Sequence, residues 1–345
     1  MAPARLWWKD RAMHISDLTE VMKCDSLFFA PHLDDVALSC PGRVLEDTAA
    51  GRRALVVTLF SHAGSADAGR FKRDLYPTRQ AEDRRSCEIL GADSLHAGFL
   101  DAPFRAEIYH RFSGIMFKRD ANHAQTMMQA AEYVSRLLER AQPSVVFVPL
   151  GVGWHIDHRL TREAAMVGIS NYKWRKSGTK EIERITDELR SQNANVLPRL
   201  QFYEDRPYAF VQESVRLRLG ELGFSADAHD LPLLDADELR RVFTESFMGA
   251  HYVRQHLADD EREYTLRHLN SHLTRGSVQT STQAQSDVHL YDRVTLAVAR
   301  RAVGAHESQL AALFGDLEGW QRQTGEYTRA LRYEADYVER YWQLP

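Results

Sequence analysis

Cysteine is scarce in this 345-residue chain: Cys24, Cys40 and Cys87 stand alone, with no CxxC pair among them. Three scattered thiols exclude a disulfide framework and a cysteine-ligated zinc finger. Long apolar runs are equally lacking, and none approaches the roughly 18 residues of a membrane-spanning helix. The opening stretch MAPARLWWKDRAMHISDL is broken by charges and has no signal-peptide core, so a cytoplasmic protein is expected. A large excess of one charge is missing too. The formal net charge of −4 does not point to nucleic acid or an anionic membrane as a partner. No GxSxG elbow is found, which argues against a serine hydrolase. Gly64 to Arg70 imitates a phosphate loop but lacks its Lys-Ser/Thr end. Gly151 and Gly153 supply two glycines of a dinucleotide fingerprint, yet Ile156 takes the third position.

What remains is the usual mix of a globular protein, 44% hydrophobic and 27% charged. The first half alternates strand and helix signals. Leu27 to Ala30, Ala54 to Phe60 and Ser144 to Pro149 are apolar at nearly every position, as strands buried on both faces must be. Between them, Pro41 to Ala50, Thr78 to Leu90 and His123 to Ala141 carry helical patterns, with Thr78 read as an N-cap and Gly91 as a C-cap. Strand–helix–strand alternation gives an α/β, doubly wound, mostly parallel sheet. Arg199 to Phe210 is a further strand signal broken by Pro207. Lys173 to Asn195 reads as a charged surface excursion, and Ser277 to Ser286 as a polar loop. Helical stretches around Asp237 to Phe247, with Leu290 to Phe314 and Tyr327 to Tyr341 as closing helices, suggest a helical C-terminal extension. We expect one enlarged domain over 1–345, with a core of about 24–211 and an extension of about 212–345.

Two segments gather reactive side chains. Pro31-His32-Leu33-Asp34-Asp35 follows one apolar strand, and His155-Ile156-Asp157-His158 follows another. Doubly wound sheets place their sites at such carboxyl ends. Catalytic zinc takes three ligands from His and Asp or Glu and keeps one position open for water. A neighbouring carboxylate can accept the proton of that water. Asp34 and Asp35 can divide these roles, and of His155 and His158 one can bind metal while the other faces the reacting group. Arg79 and Arg105 are candidate contacts for polar substrate groups. Tyr203, Glu204 and Asp205 combine an aromatic face with carboxylates, as sugar pockets do. His268 and His272 lie four apart with no acidic helper, and read as surface histidines.

The pairing of PHLDD with a later HIDH resembles the LmbE-like (PIG-L) de-N-acetylases, and in particular members from antibiotic or secondary-metabolite pathways. Thr78 to Glu82 running to Leu90-Gly91, Phe99 to Arg105, and Phe202 to Ala209 fall in the order seen there. So do Ala305 to Gln309 and Glu339 to Trp342. The resemblance implies a Rossmann-like fold and a metal-dependent amide hydrolase. Its substrate would be a small N-acylated molecule, an amino sugar or a glycosylated compound. It implies Zn2+, or another divalent ion, on His32, Asp35 and His158. Asp34 becomes the general base, His155 the group that steadies the oxyanion or protonates the leaving amine, and Asp157 the orienter of an imidazole. Asp101, in the Phe99 to Arg105 segment, joins Arg79, Arg105, Tyr203, Glu204 and Asp205 as an expected substrate contact. Trp154 departs from the family pattern and points to an altered pocket beside the metal. The alternatives are a deacylase for a longer acyl chain or a non-sugar amide, and a non-catalytic sugar binder that keeps the fold.

Overall fold

Strand and helix signals in the first half resolve into a single eight-stranded sheet in the computed structural model. It describes residues 12–177, 198–226, 235–276 and 282–345. The strands are β1 (His14–Ile15), β2 (Ser26–Ala30), β3 (Ala54–Thr58), β4 (Asp93–His96), β5 (Val145–Pro149), β6 (Arg199–Tyr203), β7 (Gln285–Tyr291) and β8 (Tyr337–Gln343). Their order across the sheet is β1-β4-β3-β2-β5-β6-β8-β7. All pairs from β1 to β6 are parallel, whereas β8 runs antiparallel to both β6 and β7.

The apolar runs are explained by burial on two sides. Leu27 and Phe29 of β2, Leu55 and Val57 of β3, and Val146 and Val148 of β5 share one core with the helices His123–Ala141 and Ile156–Ser177. Phe28 and Ala30, Ala54 and Val56, and Val145 and Phe147 point the other way, into a second core with Cys40, Val44, Cys87 and Leu90. The period of two therefore sends alternate residues into two different apolar layers, and every position reads as hydrophobic.

The chain winds from β2 through β3 to β4 in one direction, then returns to place β5 and β6 on the other side of β2. The reversal opens a crevice between the carboxyl ends of β2 and β5, the usual place for a site in such sheets. The two histidine segments leave the sheet at these two strand ends.

The C-terminal third differs from its expected form. It is not wholly helical: Gln285–Tyr291 and Tyr337–Gln343 form β7 and β8 and complete the sheet. The helical reading of Tyr327 to Tyr341 fails because Glu339 and Arg340 sit buried within a strand. Their charges are met by buried partners rather than by water, so the usual apolar–polar alternation is lost. Thr78 is not an N-cap, because the helix already starts at Tyr76; Gly91 does close it, at φ 73°. Helices Arg293–Gly304 and Leu317–Ala330 pack against β8, and Glu307–Leu313 packs against Tyr76–Leu90 and His251–His256. Ser214–Glu221, Ala236–Gly249, His251–His256 and Arg262–Gly276 build a third apolar core around Trp154, Leu217, Phe243 and Tyr252. Most of the expected excursion Lys173 to Asn195 and the start of the expected loop Ser277 to Ser286 lie outside the described residues. Among the described residues, no helix is long and apolar enough to cross a membrane.

Candidate active site

The turn after β2 positions the first group of candidate ligands. The backbone N–H of His32 donates to Asp35 Oδ2 at 2.7 Å, so the loop folds back on itself before the short helix Asp35–Ser39 begins. This geometry brings the Asp35 carboxylate against two imidazoles from different strand ends. Its Oδ2 lies 3.4 Å from His32 Nδ1, and its Oδ1 lies 3.4 Å from His158 Nε2.

The turn after β5 carries the second group. Gly151 and Gly153 adopt φ of 78° and 81°, and Trp154 a φ of 65°, so three of four residues lie in the left-handed region. Glycine is the residue that takes such backbone without strain. The reversal swings Trp154 away from the pocket. Its ring packs edge-on against Phe243 at 5.6 Å, and its Nε1 donates to Glu221 Oε2 at 2.7 Å. The expected distortion of the pocket by Trp154 is therefore not realised, because the indole belongs to the third core. Glu221 also receives His272, which is buried rather than on the surface. Ile156 then starts a helix whose first turn presents Asp157 and His158.

Each imidazole is held from behind. His32 Nε2 lies 3.2 Å from Asp157 Oδ2, and His158 Nδ1 lies 2.6 Å from Asp205 Oδ1. Carboxylates in these positions fix the tautomer and the ring orientation of a metal-binding histidine. Asp157 is itself paired with Arg105 and accepts from the Ala102 N–H, and Asp205 accepts from the backbone N–H groups of Gly151 and Val152. The nitrogens left facing inward are His32 Nδ1 and His158 Nε2. Together with Asp35 they form a donor set of two imidazoles and one carboxylate, which suits Zn2+ and other divalent transition metals. A second cluster, His32, Asp101 and Asp157, also has donor atoms within 4.8 Å of one another. Its charges are already met by Arg105, Arg79 and the Tyr76 hydroxyl, so it serves to orient His32.

Electrostatics separate the two adjacent aspartates. Both suffer burial, but Asp35 is held below the ordinary carboxylate range by His158 and His32, which outweigh it. Asp34 is pushed up by burial and by the charge of Asp35, with Arg79 opposing. His155 is driven down to about 3 by burial and by the neighbouring His32 and His158. Its Nδ1 accepts the Asp157 backbone N–H at 3.2 Å, so the neutral ring carries its proton on Nε2. The donor atoms of His32, His155 and His158 lie within 4.8 Å of one another, which puts His155 at the edge of the same centre.

A cavity of about 330 Å³ opens above these groups. Of the expected substrate contacts, Asp101 and Arg79 line it, together with Asp34. The other expected contacts do not. Arg105 lies behind the site, spent on Asp157 and the Leu100 carbonyl. Tyr203 is fully buried in β6, and its hydroxyl donates to the Phe29 carbonyl at 2.8 Å. Glu204 is fixed by Arg340 at 2.6 Å and Trp342 Nε1 at 2.8 Å. Asp205 orients His158 instead of touching the pocket. All three are correctly near the site and wrongly assigned, because β6 is an inner strand flanked by β5 and β8. Residues not expected as contacts complete the walls: Phe71, Tyr76, Phe112, Met116, Tyr208, Tyr252, His256 and Leu313. Apart from Tyr208, within the Phe202 to Ala209 segment, no local pattern marks them as contacts, since they come from distant loops and helices.

Comparison with known proteins agrees with this fold. Residues 27–169 match the model of the family described as PIG-L: GlcNAc-PI de-N-acetylase. Over 252 residues, 70% of this chain and 77% of the relative, the chain is 27% identical to the 2'-N-acetylparomamine deacetylase of Streptomyces fradiae. Among solved structures, a deacetylase of the teicoplanin biosynthesis pathway superposes with a TM-score of 0.58 at 18% identity, covering 92% of this chain and 96% of that one. The A40926 pseudoaglycone deacetylase gives 0.55 at 17% identity, covering 94% and 98%. At such identities the two structures establish the shared α/β fold. The segment that matches this family model, residues 27–169, carries both histidine motifs.

Proposed function

We propose that this chain is a metal-dependent amide hydrolase that removes an N-acetyl group from an amino sugar or a glycosylated small molecule, with zinc as the metal. The observation that carries the reading is the convergence of His32, Asp35 and His158, each imidazole backed by a buried carboxylate, beside a second aspartate that is pushed toward the protonated form. The relative from Streptomyces fradiae is named as a 2'-N-acetylparomamine deacetylase, which supports an N-acetylated small molecule as substrate.

His32, Asp35 and His158 would hold the ion. A divalent ion there supplies Lewis acidity: it polarises an amide carbonyl and makes a water acidic enough to be deprotonated near neutral pH. Asp34 stands beside this centre, accepts the proton of the attacking water and later delivers it to the departing nitrogen. Its raised affinity for a proton, set by burial and Asp35, suits that exchange. The neutral His155 turns its Nε2–H toward the pocket, a donor for the developing oxyanion and not a cationic acid. Asp157 keeps His32 aligned.

A second reading differs in the acyl group. Phe71, Leu75, Phe112, Ile115, Met116 and Leu313 give the pocket a broad apolar wall, which favours a longer acyl chain over acetyl. Acetate and octanoate release from one N-acylated amino sugar, followed with and without chelator and zinc readdition, separates the two. Metal-dependent acetate release lost in Asp34→Ala supports the first reading. Preference for octanoyl transfers the assignment to the second. No metal-dependent release of either acid, with metal bound, rejects both.

A further inference from the structure

We infer that Tyr208 donates a hydrogen bond to the carbonyl oxygen of the scissile amide, and that residue 153 is glycine so that this ring can stand beside the histidines. The inference rests on the amide-hydrolase reading above. Tyr208 begins a single 3-10 turn, Tyr208–Phe210, just after β6, and so reaches the crevice from the side opposite the β2 turn. It lines the same cavity as Asp34, Asp35, His155 and His158. Its ring stands edge-on to His158 at 5.2 Å and lies 6.4 Å from that of His155.

The space it occupies is made by a missing side chain. A Cβ at Gly153 would lie 2.4 Å from two ring atoms of Tyr208 and 2.5 Å from its Cβ. The φ of 81° adds a backbone reason for glycine, and the three atoms that a Cβ would meet first all belong to Tyr208. On the far side, Tyr252 meets Tyr208 edge-on at 5.1 Å and fixes the ring plane. The pocket's other tyrosines are used or sealed. The Tyr76 hydroxyl is held by Asp101, and the Tyr252 hydroxyl is buried without a partner. Tyr208 is only half-buried, and no hydrogen bond engages its hydroxyl among the described residues. A polar group kept beside the reacting centre with no protein partner is placed for a substrate atom.

The chemistry balances without a proton leaving the tyrosine. As the water oxygen bonds to the carbonyl carbon, the carbonyl π pair moves to its oxygen, and the phenol O–H stabilises that charge by hydrogen bonding alone. The water proton passes to Asp34. It returns to nitrogen as the C–N bond breaks, which gives the carboxylic acid and the neutral amine; the acid's own proton, the second from the water, then passes to the amine and leaves carboxylate and ammonium.

The test is Tyr208→Phe, which keeps the ring and removes the donor. Loss of one oxyanion donor should lower kcat by about 10²–10³-fold while KM changes by less than about threefold. Bound metal should stay stoichiometric. Affinity for a phosphonate analogue of the tetrahedral state should fall with kcat, whereas affinity for the amine product should not change. Gly153→Ala, which pushes the ring aside while leaving the phenol intact, should reproduce the kcat loss, with circular dichroism verifying that it folds. Unaltered kcat and analogue affinity in Tyr208→Phe would overturn the inference while leaving the hydrolase reading in place. The analogue arm needs no turnover, so it still decides the role of Tyr208 if the true substrate is not among those assayed. A wild-type protein that neither hydrolyses amides nor binds the analogue removes the parent reading, and the inference with it.

Discussion

Asp205 shows how much one buried carboxylate settles at the residue scale. One oxygen takes the Nδ1–H of His158 at 2.6 Å, and the other accepts two backbone N–H groups at 2.8 and 3.0 Å. In Asp205→Asn the amide oxygen is claimed by those two N–H donors, which turns the NH2 toward His158. The ring must then accept at Nδ1 and carry its proton on Nε2, the atom proposed to bind metal. Zinc affinity should fall by about 10–100-fold, measured by competition with a chromophoric chelator. An unchanged affinity would mean that His158 is not a ligand. His256, in the wall of the same cavity, makes a second prediction. Burial, Arg70 and His251 push it down to about 4 from the 6.5 of a free imidazole. The unfolded chain therefore binds this proton at a higher pH than the folded one. The stability it contributes is complete above pH 6.5 and is lost as the pH falls toward 4. Denaturation midpoints between these values should fall more steeply for the wild type than for His256→Gln. At this scale the sequence revealed His32, Asp34, Asp35, His155 and His158, because their chemistry is unusual in any loop. It misread Tyr203, Glu204 and Asp205, because a run of aromatic and acidic side chains looks the same whether it faces a ligand or a neighbouring strand.

At the scale of elements, the strand β8 does more than close the sheet. Glu339 accepts hydrogen bonds from the backbone N–H of Gly42 at 2.6 Å and of Arg43 at 2.9 Å. It thereby caps the helix Pro41–Ala49 from a strand almost three hundred residues away. A carboxylate at a helix N-terminus satisfies free N–H groups and complements the helix dipole. Glu339→Ala leaves both donors without that carboxylate, and stability should fall by about 2–4 kcal/mol in denaturant titration. A loss below 0.5 kcal/mol, the size of a surface change, would show that water replaces the cap. The helices of the first half were legible because each ends on a chemical signal, Gly91 at φ 73° being one. The strand β8 was not, since burial of Glu339 and Arg340 by pairing erases the alternation that would have marked it.

For the molecule as a whole, the three thiols report on cooperativity. Cys24 lies in the core on one face of the sheet, and Cys40 and Cys87 lie in the core on the other. Burial pushes the Cys24 thiol up to about 12 and the other two higher than their ordinary range. None should react with a thiol reagent in the native state. The second core also includes Ala302 and Tyr341 from the C-terminal third. We therefore propose that core and extension unfold together, and that in moderate denaturant all three cysteines label at one rate. A distinct, faster rate for Cys40 would identify the C-terminal third as a separable unit. By itself, the sequence determined the α/β layering, the two strand-end motifs and the residue types for a divalent metal. Those follow from local periodicity and from chemistry that few loops possess. Only the tertiary structure decided which carboxylate supports which imidazole, that Trp154 turns away into a core of its own, and that Tyr208 fills the space of Gly153. Each of these depends on strand order and on contacts between residues far apart in the chain, and no short stretch of sequence encodes either.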